Sequence, residues 1–220
     1  MKAFKFLSLK YALQDIEEHR VKLSEYGDMN DPFELLGSTW SDDEVDRKLT
    51  SHNIASYGAV CLSRNWSNPL LWSHYADKHK GICLGFDIPD RPDAVHEAIY
   101  VDSRETQSPR ALYDALKSKA VSPAAKEASM RKLLLKFRGW EYEDEVRLLA
   151  YLDAKPGELS YFDFGENLAL TEIIAGVRCT VSKSEIVERL RTYSDPVTVR
   201  KARLARDTFQ VVEDPNGFPS

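Results

Sequence analysis

Short runs of alternating or uniformly apolar residues along this chain predict strands, and longer runs with helical spacing predict helices. Residues 4–7 read as a strand, and residues 8 to about 20 as a helix with Leu9, Leu13 and Ile16 on one face. Asn30-Asp31-Pro32 reads as a turn, because Pro32 pushes Asp31 out of the helical region. Ser41 with Glu44 forms a capping box for a short polar helix. Residues 58–63 are small and apolar, as in a buried strand. Asn68-Pro69 opens a helix to about residue 78 that Gly81 stops. Residues 82–88 and 98–101 read as further strands. Ser108-Pro109 and Ser122-Pro123 each open a helix, and Gly139 closes the second. A strand from 140 to about 152 follows, then one at 173–177. Ser182 with Glu185 caps a helix through 191. Residues 197–203 and 209–212 read as a hairpin or edge pair. Strands outnumber crossover helices, which predicts an α+β fold with a mixed, mainly antiparallel central sheet and flanking helices. No repeat or linker interrupts residues 1–220, so a single domain is expected.

Composition narrows the class. The chain is 43% hydrophobic and 30% charged, the balance of a globular protein. No stretch approaches the roughly 18 apolar residues of a membrane helix. The first residues are too polar for a signal peptide. Cys61, Cys83 and Cys179 are odd in number and widely spaced, the pattern of reduced cysteines in a cytoplasmic protein. The net charge of −5 does not advertise a nucleic-acid binder. Basic residues nevertheless gather at Lys117, Lys119, Lys126, Arg131, Lys132, Lys136 and Arg138, and again at Arg200, Lys201, Arg203 and Arg206. Such stretches are either solvated faces or docking surfaces for a polyanion.

Three clusters could carry chemistry. In a strand from residue 140, alternation places Glu141, Glu143, Glu145 and Arg147 on one face and Val146, Leu148, Ala150 and Leu152 on the core face. Three carboxylates in a row repel, so the face is either a charged edge that blocks strand addition or a catalytic carboxylate site. Trp72, Tyr75 and His79 share one helical face, which is either core or, with His74, the wall of a pocket. Zinc binding by His74, His79 and Cys83 matches no familiar spacing. The loop from Asp28 to Glu34 is a turn unless it overhangs a cleft. No phosphate-binding glycine loop, dinucleotide fingerprint or nucleophile elbow is present.

Asn30-Asp31-Pro32-Phe33-Glu34, Cys61-Leu62-Ser63, the run from Trp72 to Cys83, and Trp140-x-Tyr142-Glu143-x-Glu145-x-Arg147 occur in that order. The set resembles a bacterial domain-of-unknown-function family, number twenty-nine seventy-one, over residues 4–190. The order of strand with serine, helix with tyrosine, and later strand with Glu-x-Glu also resembles the ADP-ribosyltransferase superfamily, including its DNA-modifying members. That resemblance implies an ADP-ribosyltransferase-like fold and NAD as substrate, with no metal. It implies Glu145 as the catalytic carboxylate and Glu143 as the residue that orients the acceptor. Tyr75 would stack nicotinamide, with Trp72 and His74 beside it. Ser63 would fix the ribose or carboxamide, and Lys5 would sit near the pyrophosphate, where an Arg or His is usual.

The resulting expectation is an NAD-dependent ADP-ribosyltransferase-like enzyme, a bacterial toxin or phage-defence effector acting on nucleic acid or protein, with an antitoxin or other partner protein. Two alternatives stay open: a non-catalytic interaction module of a toxin–antitoxin or defence system, and a metal-dependent hydrolase or nuclease using Glu143, Glu145 and Asp31. If the transferase expectation holds, Ser63, Tyr75 and Glu145 should line one concave pocket.

Overall fold

The computed structural model describes residues 1–40, 47, 51, 56–89, 95–107, 123–152 and 158–218. The predicted caps at Ser41, Ser108 and Ser122 lie outside them.

Apolar alternation builds one nine-stranded sheet from β1 (Lys2–Leu7), β2 (Ser24–Glu25), β3 (Tyr57–Ser63), β4 (Ile82–Asp87), β5 (Val95–Glu97), β6 (Glu145–Tyr151), β7 (Ala169–Ala175), β8 (Thr198–Leu204) and β9 (Val211–Glu213). The order is β9-β8-β7-β4-β1-β3-β6-β5, with β2 pairing the free side of β3. Only β7 and β8 run parallel within this sheet; its other pairs are antiparallel among the described residues. The fold is therefore mixed α+β with a mainly antiparallel sheet, as the sequence predicts.

Four helices flank the sheet among the described residues: α1 (Leu9–Glu18), α2 (Pro69–Tyr75), α3 (Pro123–Leu134) and α4 (Lys183–Arg189). α1 and α4 bury Ala12, Ile16 and Ile186 on one face of the sheet, against Val60, Leu62, Leu84 and Val146. α2 buries Leu71 and Trp72 on the other face, against Phe4 and Phe6. The predicted caps at α2 and α4 form. The Asn68 side chain accepts the N–H of Leu70 at 2.9 Å, and Ser182 Oγ accepts that of Glu185 at 3.1 Å. No helix among the described residues is long and apolar enough to cross a membrane.

The sheet comes apart in its middle. Among the described residues β1 and β3 pair at a single position, Phe4 opposite Ser63. Beyond that bridge they diverge, and β2 takes the edge of β3 at Gly58 and Ala59. Alternation sends Phe4 and Phe6 to the α2 face and Lys5 and Leu7 to the α1 face. The split therefore opens a passage between the two faces of the sheet.

Three sequence expectations are corrected. The strand expected from residue 140 begins at Glu145. Residues Arg138–Glu143 form a 3-10 turn, and Asp144 adopts a left-handed conformation (φ 45°) that breaks the alternation. Glu141 consequently leaves the site and pairs with Arg138 on the surface. β6 is also not an exposed edge, since it lies between β3 and β5. The helix expected to end at Gly139 ends at Leu134, and Leu135–Phe137 pairs in parallel with Ile99–Val101. Gly139 instead lies within the 3-10 turn, where a Cβ would meet the Phe137 ring at 2.5 Å. The helix expected to reach residue 78 stops at Tyr75, and Asp77, Lys78 and His79 all take left-handed conformations. That turn still returns the His79 ring to a stack with Trp72, centroids 6.2 Å apart.

Part of each basic stretch is taken up within the fold, while Arg138 and Arg206 stay exposed. Lys132 and Lys136 are buried, and Arg131 pairs with Glu105. Arg200 pairs with Glu213, and Lys201 is buried against the carbonyls of Gly176 and Cys179.

Candidate functional site

A cavity of about 600 Å³ occupies the split between β1 and β3. Lys5, Ser63, Tyr75, Glu143 and Glu145 all line it, so Ser63, Tyr75 and Glu145 do share one concave pocket. Asp28, Met29, Asn30 and Glu34 line it too, which places the 28–34 loop over the cleft. Trp72 and His74 do not. Trp72 is fully buried beneath α2, its indole N–H donating to the Trp66 carbonyl at 2.7 Å. His74 is exposed and packs from outside the cavity against the rings of Tyr75, Trp140 and Tyr142, centroids 6.0–6.4 Å away. Lys5 reaches the cavity from the α1 face, whereas Glu145 projects from the α2 face.

On the α2 side the cavity floor is a buried charge network. Glu145 and Arg147 point the same way from β6 because they are two residues apart. Arg147 is 0% exposed. Its guanidinium donates to Glu145 at 2.8 and 3.3 Å, to Glu34 at 2.9 and 3.1 Å, and to the Leu133 carbonyl at 2.7 Å. The Lys136 ammonium, on the short strand after α3, bridges Glu143 at 2.5 Å and Glu145 at 2.6 Å. The Tyr75 hydroxyl donates to the other oxygen of Glu143, and itself accepts from the Asn30 amide at 3.0 Å. Ser63 Oγ donates to the Asn65 carbonyl at 3.1 Å, and the Tyr100 hydroxyl accepts the Glu145 N–H at 2.9 Å. Three carboxylates thus meet two cations, and the whole arrangement links the 28–34 loop at both ends, through Asn30 and Glu34.

Position in this network separates the two glutamates. Burial alone pushes the Glu145 carboxyl up, but Arg147 and then Lys136 outweigh it and hold it at about 2. Burial raises the Glu143 carboxyl, and the lysine and the Tyr75 hydroxyl offset this only in part. Burial opposes the Lys136 charge, but Glu145, Glu143 and Glu34 more than compensate and keep the ammonium protonated. Burial, then the nearby Glu143, drives the Tyr75 hydroxyl well above its ordinary value. Burial, then Glu145, does the same to the Cys61 thiol, which also lines the cavity. The three cysteines are free thiols. A network with one environment favouring the carboxylate and a neighbour favouring the acid is the usual basis for dividing roles between paired carboxyls.

The side chains named for a metal ion, Glu143 and Glu145, are held by cations of the chain itself. Lys136 fills the point between Glu143 and Glu145 that a cation would need. Asp31 does not line the cavity with Glu143 and Glu145, and its Oδ1 accepts the Phe33 N–H at 2.9 Å. Among the described residues no cluster of His, Cys, Asp and Glu is arranged to hold a metal ion.

Sequence reasoning missed Lys136 and Glu34 as partners. Lys136 was visible only as one member of a basic run, and Glu34 only as the end of a turn. The signal that could have found them is the surplus of carboxylates itself, since buried like charges require cations from elsewhere in the chain.

Residues 71–148 match the model of a family described as a protein of unknown function (DUF2971). The matched span is narrower than residues 4–190. It holds Tyr75, Lys136, Glu143, Glu145 and Arg147 and leaves out Lys5, Glu34 and Ser63. No curated protein and no solved structure matches the chain.

Proposed function

We propose that the protein is an NAD-dependent ADP-ribosyltransferase-like enzyme that takes its substrate into the split between β1 and β3. The observation that carries this reading is the convergence of Lys5, Ser63, Tyr75, Glu143 and Glu145 on one cavity, from four separate parts of the chain. Its volume, about 600 Å³, is that of a small-molecule site.

The chemistry follows from the charge states. When the C1′–N bond to nicotinamide breaks, its electron pair moves to the pyridine nitrogen and positive charge builds on the ribose. A carboxylate held ionised beside the ribose stabilises that charge, the part assigned to Glu145. The acceptor nucleophile then bonds to C1′ and gives up a proton. Glu143, with its raised carboxyl, is suited to receive it. Tyr75 stacks nicotinamide, Ser63 fixes the ribose or carboxamide, and Lys5 meets the pyrophosphate. The acceptor is nucleic acid or protein, and a toxin or defence role with a controlling partner belongs to the same proposal.

The test is nicotinamide release from NAD in the presence of mixed protein, DNA and RNA. Glu145→Gln should slow release by about 10²–10³-fold. No release and no NAD binding by the unaltered protein sinks the proposal. One observation favours a second reading, the non-catalytic interaction module: both Glu145 oxygens are already engaged by cations. That reading expects no turnover and a partner protein bound equally well by the Glu145→Gln variant.

A further inference from the structure

The far end of the cavity holds a group that the proposed reaction does not use. Asp15 lies on α1, 6% exposed, and its carboxyl lines the cavity. No hydrogen bond or ion pair holds its carboxyl among the described residues, and Lys5, Glu18 and Arg20 act on it only as charged neighbours. Tyr11 and Gln14 also line the cavity, and with Asp15 they occupy one face of α1. Lys5, Lys22, Leu159 and Tyr161 complete this end, with Lys22 opposite Tyr161 in a strand pair. The Arg20 guanidinium covers one face of the Tyr161 ring at 3.9 Å. Tyr11 is 57% exposed, with the Lys10 ammonium over its ring at 5.5 Å, which leaves the opposite face for a planar ligand. Because alternation puts Lys5 on the α1 side of the sheet, this cluster is separated from Glu145 by the split.

We propose that the α1 end of the cavity is a separate subsite for an amino-bearing planar base of the adenine type, read by Asp15 and stacked on Tyr11. The identity of the base rests on the nucleotide reading above. An exocyclic amino group donates to a carboxylate that the protein leaves without a donor, whereas a carbonyl at the same ring position meets it with like polarity. Gln14 donates to Glu18 at 3.0 Å. Lys5 and Lys22, neither of them paired among the described residues, stand where the phosphates of such a nucleotide leave the base. Burial raises the Asp15 carboxyl to about 7, with Lys5 and Arg20 opposing and Glu18 reinforcing the rise; Tyr193 is a further neighbour. A partnerless acid at such a value is suited to gain a donor when a ligand arrives.

The experiment is calorimetry on the full chain at pH 8 with adenosine monophosphate, inosine monophosphate and nicotinamide mononucleotide. The unaltered protein should bind the adenine nucleotide at least about tenfold more tightly than the inosine nucleotide. Asp15→Asn should erase that preference and leave nicotinamide mononucleotide binding unchanged. Tyr11→Ala, at an exposed position that folding does not need, should weaken the adenine nucleotide about tenfold; it decides the matter if the Asp15 variant does not fold. No binding of the adenine nucleotide, or an unchanged preference in Asp15→Asn with full affinity in Tyr11→Ala, overturns the proposal. An Asp15-dependent preference without nicotinamide release keeps the subsite and refutes the transferase. Nicotinamide release with no Asp15-dependent preference does the reverse.

Discussion

Arg147 holds Glu34 in a two-point ion pair, at 2.9 and 3.1 Å, across 113 positions of sequence. The same guanidinium holds Glu145, so one buried side chain ties the cleft loop to the strand that carries the candidate catalytic carboxylate. Arg147→Ala leaves two buried carboxylates without that cation and should destabilise the fold by about 3–5 kcal/mol. Arg147→Lys should recover only part, because an ammonium cannot span both carboxylates with a planar fork. Urea denaturation measures both. A loss below about 1 kcal/mol for the alanine variant would show the network to be dispensable.

Tyr75 connects α2 to the same network through Glu143 and Asn30. Tyr75→Phe keeps the ring and removes the hydroxyl, leaving one oxygen of a buried carboxylate without its donor. The expected cost is about 1–3 kcal/mol. Asn30→Ala alone should cost less, and the double variant should cost less than the sum, since both changes act on one hydroxyl. Strict additivity in the double-mutant cycle would refute the relay.

How far this arrangement was legible in the sequence depends on the kind of signal each residue carries. Asn68-Pro69 and Ser182 announced their helices because a cap is local chemistry, satisfied within three residues. The apolar strands around Val60, Leu84 and Ile173 were legible for a similar reason, since their burial needs no particular partner. Glu143 and Glu145 stood out as an unusual pair, but through a mistaken alternation. A single left-handed residue, Asp144, converts what looked like one strand into a turn followed by a strand. Aspartate tolerates that conformation without announcing it. The partners Lys136, Arg147 and Glu34 meet only when the sheet is assembled, and Asp15 is silent because a lone acid on a helix reads as surface until its burial is known.

Lys136 is the one cation shared by Glu143 and Glu145 among the described residues. Lys136→Met keeps the stem and deletes the charge, so the two carboxylates face each other with less compensation. The cost should depend on pH with a definite sign. The folded-state values of both acids rise on losing the lysine, so the stability that remains is present at low pH and falls as pH climbs through the raised values. The gap between Lys136→Met and the unaltered protein should therefore widen from pH 5 to pH 8 in urea denaturation. A gap independent of pH would mean that Lys136 acts by packing alone.

Asp15 makes the complementary prediction, for an acid that lacks a partner. Its carboxyl sits at about 7 in the fold because burial disfavours the charge, against an ordinary value of 3.8. An acid raised on folding binds its proton more tightly in the folded state, so its contribution is fully present below about pH 4 and is lost as pH rises through 7. Asp15→Asn removes the titration while keeping the shape. The two chains should melt together near pH 4, and the Asp15→Asn chain should be the more stable by on the order of 2–4 kcal/mol at pH 8. For a chain of this length that corresponds to a melting difference of several degrees or more. Adding adenosine monophosphate at pH 8 should narrow the gap, because a bound donor stabilises the ionised carboxyl of the unaltered protein alone. Equal melting temperatures at pH 8 without ligand would show that the Asp15 charge is solvated in the cavity, and the burial argument for this residue would fail.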